Sequence, residues 1–170
     1  MRSRSARAQV PEKFVSGTIH DVVARDLRKV PDERGWLTEL FRQDELSEEY
    51  YPVMSYISST EPGVTRGPHV HLCQADLFCF TGPSNFKLRM WDNRPQSETY
   101  RRVQTLFVGE DNPKLVLVPE GIVHAYRNVG TVPGIIINCP NCLYRGEGRL
   151  ELPDEIRYED DPDTIFRVDD

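Results

Sequence analysis

Short runs of apolar, β-branched and aromatic residues, cut by Gly, Pro and Asn, make up most of the chain. "PVMSYISST", "ADLFCFTG", "NFKLRMWDN", "RRVQTLFVG", "PKLVLVPEG" and "GIIINCP" follow one another with turn residues between them. Several alternate with a period of two, as in Lys87-Leu88-Arg89-Met90-Trp91 and Lys114-Leu115-Val116-Leu117-Val118. Period-two runs separated by frequent turn signals predict an all-β sandwich or barrel. Helical periodicity is scarce, and the best candidate helix is Arg42 to Tyr51, "RQDELSEEYY". The acidic tail interleaves Ile156, Tyr158, Ile165 and Phe166 with its charges. That spacing predicts a C-terminal segment that packs back on the body.

Length then bounds the number of domains. A chain of 170 residues suits one domain with a sizeable core. The expected division is a disordered basic arm over residues 1–13 and a single domain over 14–170. Net charge is −6, so no basic surface calls for nucleic acid or an anionic membrane. No apolar run approaches the ~20 residues that cross a bilayer, and the arm has no apolar stretch of a signal peptide. Cytoplasm is the expected location. Cys73, Cys79, Cys139 and Cys142 should then be reduced. "CPNC" has half the spacing of a zinc site without its second half, and a structural role is expected.

The chemistry concentrates in "GVTRGPHVHLCQADLFCFTG", Gly63 to Gly82. His69 and His71 are two apart, so a strand puts both on one face. Leu77 and Cys79 share their parity, which is compatible with that face pointing inward. Asp76 has the opposite parity and needs a bulge or turn near Cys73-Gln74 to join them. A third histidine, His124, follows a Pro-x-Gly turn in "PEGIVHAYRN". These residues alone leave three readings open: metal ligands, a proton-transfer base with its neighbours, or ordinary strand residues.

Gly63-x5-His69-x-His71-x4-Asp76-x5-Gly82 resembles the first cupin motif, with Asp in place of the usual Glu. Pro119-x-Gly121-x2-His124-x3-Asn128 resembles the second. The resemblance implies a cupin double-stranded β-helix, a jelly-roll barrel with a few short helices. It also implies His69, His71, Asp76 and His124 as candidate ligands, a set that suits Fe, Mn, Ni or Zn. A narrower resemblance rests on five blocks in order: "DERGWLTELF", "GVTRGPH", "DNRPQSETY", "VPEGIVHAY" and "IRYEDDP". By these the chain is identified as a divergent member of the dTDP-4-dehydrorhamnose 3,5-epimerase family. That resemblance implies a homodimeric isomerase without a cofactor, moving a proton beside the 4-keto group of a nucleotide sugar.

Matched position by position, the resemblance makes His69 the base, Asp161 its paired acid and Tyr144 the proton donor. It makes Arg66 the diphosphate anchor, Arg34 and Glu39 nucleotide-sugar contacts, and His124 a site-lining residue. Three departures stand beside the matches. Asp76 falls where the family places a lysine that stabilises the enolate, Met54 and Tyr56 replace a Gln and an Asn, and His71 replaces a residue that is often Gln. Losing the lysine while gaining His71 and Asp76 moves the site towards metal binding, and a divalent cation could then do the lysine's work. Two other readings follow: a metal-dependent cupin enzyme on a small oxygenated substrate, and a non-catalytic sugar-binding relative.

Overall fold

The apolar runs become strands. The computed structural model describes residues 13–169, and in it the strands are β1 (Val15–Ser16), β2 (Val23–Asp26), β3 (Val30–Asp32), β4 (Gly35–Leu37), β5 (Tyr56–Thr60), β6 (Thr65–Val70), β7 (Asp76–Phe80), β8 (Asn85–Asp92), β9 (Arg102–Gly109), β10 (Lys114–Val118), β11 (Ile122–Asn128), β12 (Gly134–Asn138) and β13 (Ile156–Arg157). Except for Lys13, the basic arm expected at the N-terminus lies outside the described residues.

Two sheets are wound from these strands, in the orders β1-β9-β8-β11-β6-β13 and β2-β10-β7-β12-β5. All their pairings are antiparallel except β1 with β9. From β5 to β8 and from β9 to β13 the chain passes from one sheet to the other at each step. That is the winding of the jelly roll that the motifs imply. Between the sheets lie Phe78 and Phe80 of β7, Phe86, Leu88 and Met90 of β8, Ile122 and Tyr126 of β11, and Ile136 of β12.

Both sheets are also covered outside. Leu77, Cys79, Leu115, Leu117, Leu27 and Cys139 form one outer cluster, and Val70, Trp91, Val103, Val123, Ala125, Phe166 and Val168 another. A strand buried on both faces needs no polar alternation, which explains the unbroken apolar run after Asp76. The parity argument is corrected here: Leu77 and Cys79 face the outer cluster, whereas Asp76 shares the inward face with Phe78 and Phe80. His71 to Ala75 carries the chain between sheets and resets the alternation.

The helix expected over Arg42 to Tyr51 is two 3₁₀ turns, Gln43–Glu45 and Glu48–Tyr50. Ser47 between them is extended, at φ −69° and ψ 144°. The segment has too few apolar residues to bury a helical stripe, and packing rather than propensity holds a short helix. Asp92 closes the far end of β8. Its buried carboxylate accepts from Arg94 Nε at 3.0 Å, Ser97 Oγ at 2.6 Å and Thr99 Oγ1 at 2.7 Å.

Candidate active site

Two neighbouring strands bring the first pair of imidazoles together. His69 of β6 stands opposite His124 of β11 in the antiparallel register, and their ring centroids are 4.5 Å apart. The approach depends on Gly67, at φ +79°, where a Cβ would lie 2.6 Å from the His124 carbonyl oxygen. His71 follows the end of β6, and its carbonyl accepts from Gly121 N at 2.8 Å. The Pro119-Gly121 turn thus ties the second histidine motif to the first. Asp76 enters from the opposite sheet. His69, His71, Asp76 and His124 each offer a ligand-capable atom within 4.8 Å of the others.

Hydrogen bonds fix these groups one atom at a time. His124 Nδ1 is 3.0 Å from the Ile122 carbonyl oxygen, and His71 Nδ1 bonds the Asp154 carbonyl. A carbonyl only accepts, so both Nδ1 atoms carry hydrogen. Asp76 Oδ1 accepts from Asn138 Nδ2 at 2.8 Å and from Gln74 Nε2 at 2.9 Å. Its Oδ2 faces the two remaining nitrogens, His124 Nε2 at 3.2 Å and His71 Nε2 at 3.4 Å. His124 Nε2 is buried and has no hydrogen-bond partner of acceptable geometry. Asp154 also receives Leu72 N, Cys73 N and Gln74 N on its carboxylate, which locks the turn that carries His71.

Electrostatics follow from burial. Burial raises the Asp76 carboxyl, but the close approach of His124 and His71 and the Asn138 amide outweigh it and hold the group at about 2. Burial, then His124 and His71, lower His69 to about 2, so its imidazole is neutral at physiological pH. His69 Nδ1 faces Glu155 Oε1 at 3.7 Å.

A cleft of about 940 Å³ opens over the cluster, lined by Tyr56, His69, His71, Gln74, Tyr144 and Arg145 among others. The structure brings His69, His71, Asp76 and His124 together, with Tyr144 on the same cleft. It does not bring Asp161, which caps its own turn by accepting from Asp163 N at 2.9 Å. Glu155 takes the place beside His69, because β13 pairs with β6 in a register that sets Arg157 opposite His69. Arg66 is held on Thr60 Oγ1 and the Ser59 carbonyl, outside the cleft lining. Arg34 pairs with Asp32 at 2.6 Å and Glu39 with Arg42 at 3.8 Å, both away from the histidines. Sequence reasoning missed Glu155, Gln74, Asn138 and Asp154. Of these, Gln74 and Asn138 had one signal, a polar side chain within an otherwise apolar run. The cysteines are unbridged, with Cys79 and Cys139 buried.

Comparison with known proteins narrows the chemistry. The model of the dTDP-4-dehydrorhamnose 3,5-epimerase family matches residues 16–150. A probable low-salt glycan biosynthesis epimerase, Agl13 of Haloferax volcanii, is 38% identical over 82% of this chain and 86% of its own. The spore coat polysaccharide biosynthesis protein SpsL of Bacillus subtilis is 37% identical over 86% of this chain and 93% of its own. Among solved structures, a dTDP sugar isomerase from Desulfovibrio desulfuricans superposes with a TM-score of 0.76. It is 21% identical, with 89% of this chain and 92% of that one covered, and it establishes the fold. No helix among the described residues is long and apolar enough to cross a membrane.

Proposed function

The chain belongs to the dTDP-4-dehydrorhamnose 3,5-epimerase family and is a sugar epimerase, and from that premise we propose that it inverts a carbon beside the 4-keto group of a nucleotide-linked sugar. The observation that carries the proposal is one cleft with a neutral imidazole, His69, and a phenol, Tyr144, on its lining. Removal of the C–H proton leaves its electron pair in an enolate, and return of a proton to the other face gives the epimer. No atom is gained or lost. His69 takes the proton, Tyr144 supplies one, and Glu155 replaces Asp161 as the acid paired with His69.

The free imidazole has a low proton affinity, a handicap for a base. Glu155 would offset it by closing from 3.7 Å to hydrogen-bond distance, as catalytic contacts tighten when substrate fills a site. Arg145, Arg149 and Arg157 line the same cleft and suit a diphosphate. Arg66 would join them by leaving Ser59 and Thr60. Arg34 and Glu39 are not on the cleft lining, so we place them at the site of a second copy in a homodimer. Family membership favours this reading over a metal-dependent enzyme for small oxygenated substrates and over a non-catalytic sugar binder.

The test is deuterium wash-in from D2O with dTDP-, GDP- and UDP-4-keto sugars, read by NMR at the carbons flanking the ketone. Exchange is expected with at least one nucleotide, and His69→Gln should slow it by about 10²–10⁴-fold. Absence of exchange with all three would overturn the proposal.

A further inference from the structure

Three strands of one sheet set a row of side chains across the inner wall of the barrel. β7, β12 and β5 lie side by side, with Phe78 opposite Asn138 and Asn138 opposite Tyr56. Residues paired in this way share a face, and Phe78 belongs to the core between the sheets. Tyr56 therefore points inward from an edge strand, while Ile57 beside it points out. Its ring is 45% exposed, but its hydroxyl reaches Asn138, which is wholly buried.

Asn138 fixes which way the hydrogens run. Its Oδ1 lies 3.0 Å from Leu77 N, and a backbone N–H only donates, so the orientation of the amide is determined. Nδ2 is the donor on the other side, with two hydrogens to give. One goes to Asp76 Oδ1 at 2.8 Å and the other to Tyr56 Oη at 2.9 Å. Tyr56 Oη is thus the acceptor in the hydroxyl's one hydrogen bond among the described residues. Its own hydrogen is left for the cleft, which Tyr56 lines together with His69 and Tyr144. That direction holds whatever protons the histidines carry.

From this arrangement we infer that Tyr56 is a catalytic residue that donates a hydrogen bond to the keto oxygen of the substrate and stabilises the enolate formed from it. The inference rests on the epimerase reading for the reaction itself. An oxygen that gains charge needs a preorganised donor, and Asp76, held at about 2, is an anion that offers none. As His69 takes the C–H proton, the electron pair of that bond becomes a C=C bond and the carbonyl π pair moves onto oxygen. Tyr56 strengthens its hydrogen bond to that oxygen and keeps its proton. Burial, then Asp76, push the phenol well above the ordinary tyrosine range, so it stays a neutral donor. Accepting from Asn138 makes the same hydroxyl a stronger donor in turn. When Tyr144 returns a proton to carbon, the electron pairs move back and the carbonyl is restored.

The experiment gives the full chain dTDP-, GDP- and UDP-4-keto sugars in D2O and reads by NMR both deuterium wash-in beside the ketone and inversion of the carbon. Both pass through the enolate, so Tyr56→Phe should lower kcat for both by the same factor, about 10²–10³-fold. KM should stay within about threefold, because the lost bond matters most in the transition state. Tyr144→Phe should behave differently, losing inversion and keeping wash-in, since His69 exchanges its proton with solvent and returns a deuteron to the face it left. Tyr56→3-fluorotyrosine keeps the hydroxyl and should retain exchange to within about tenfold of the wild type. Circular dichroism establishes that each variant is folded, and Tyr56→Leu takes the place of Tyr56→Phe should that variant not fold. An unchanged kcat in the folded variant, or a loss that appears only as a raised KM, overturns the assignment. Loss of inversion with wash-in retained in Tyr56→Phe would make Tyr56 a proton donor and overturns it equally. The wild type separates this inference from the reading beneath it. No exchange with any of the three sugars overturns the epimerase reading and the role of Tyr56 with it, whereas exchange undiminished in Tyr56→Phe overturns that role alone.

Discussion

Glu155 and Gly67 decide, residue by residue, what His69 can do. Glu155 is the carboxylate that faces His69. Glu155→Gln keeps shape and removes charge, so deuterium wash-in should slow by about 10²-fold while stability in a denaturant titration stays the same. Losses in both measurements would mean that Glu155 shapes the whole cluster rather than the base. Gly67 is different in kind. It sits at φ +79° with room for no Cβ against the His124 carbonyl, and L-residues strained in this region cost about 1–3 kcal/mol. Gly67→Ala should lower stability by at least that amount in a denaturant titration, and should separate the two histidine strands.

At the scale of elements, the C-terminal segment binds the site to the barrel. β13 lies on β6, and Tyr158 and Glu159 both donate from their backbone N–H to the Pro68 carbonyl. Phe166 anchors the segment in a cluster with Phe14 at 5.6 Å, Trp91 at 5.7 Å and Tyr158 at 4.7 Å between ring centroids. Phe166→Ala should cost about 3–5 kcal/mol and slow wash-in as Glu155 loses its support, both measurable on one preparation. The loop after β8 carries a pH dependence. Burial raises the Asp92 carboxyl, but Arg94, Ser97 and Thr99 outweigh it and hold the group below the ordinary range. A carboxyl depressed in the folded state gives stability that is present above its unfolded value of about 4 and is lost as pH falls through the folded value. Stability measured by denaturant should therefore fall below pH ~4, with a shallower fall in Asp92→Asn from a lower starting value. The strands themselves were legible, because period-two runs between turn residues have no other good packing. The three histidines were legible from spacing, and Asp76 from the turn it required. Glu155 was not: Asp154, Glu155, Glu159, Asp160 and Asp161 are chemically alike, and only the register of β13 on β6 selects among them. The 42–51 segment misled for a related reason, since helix-favouring residues there have no apolar face to bury.

The molecule as a whole leaves apolar surface that a second copy would cover. The β3–β4 hairpin pairs with neither sheet and presents Trp36 at 52% exposure and Leu37 at 69%. β5 is an edge strand, and its Ile57 is 67% exposed. An uncovered edge with apolar side chains favours pairing with another chain. Arg34 lies in the turn of that hairpin and Glu39 just beyond it, so a hairpin laid on a partner would carry both towards the partner's cleft. Charge works against the association, because each copy carries −6. The repulsion is screened as the Debye length shrinks from about 30 Å at 0.01 M salt to about 8 Å at 0.15 M, whereas the apolar contribution persists. Sedimentation at micromolar concentration should therefore show a dimer that tightens with salt. Leu37→Asp together with Ile57→Asp should give a monomer that stays folded by circular dichroism. That monomer should lose wash-in mainly through a raised KM, since the histidine cluster lies within one chain and the substrate contacts of Arg34 and Glu39 would come from the other. A monomer with an unchanged KM would place those two residues outside the site altogether.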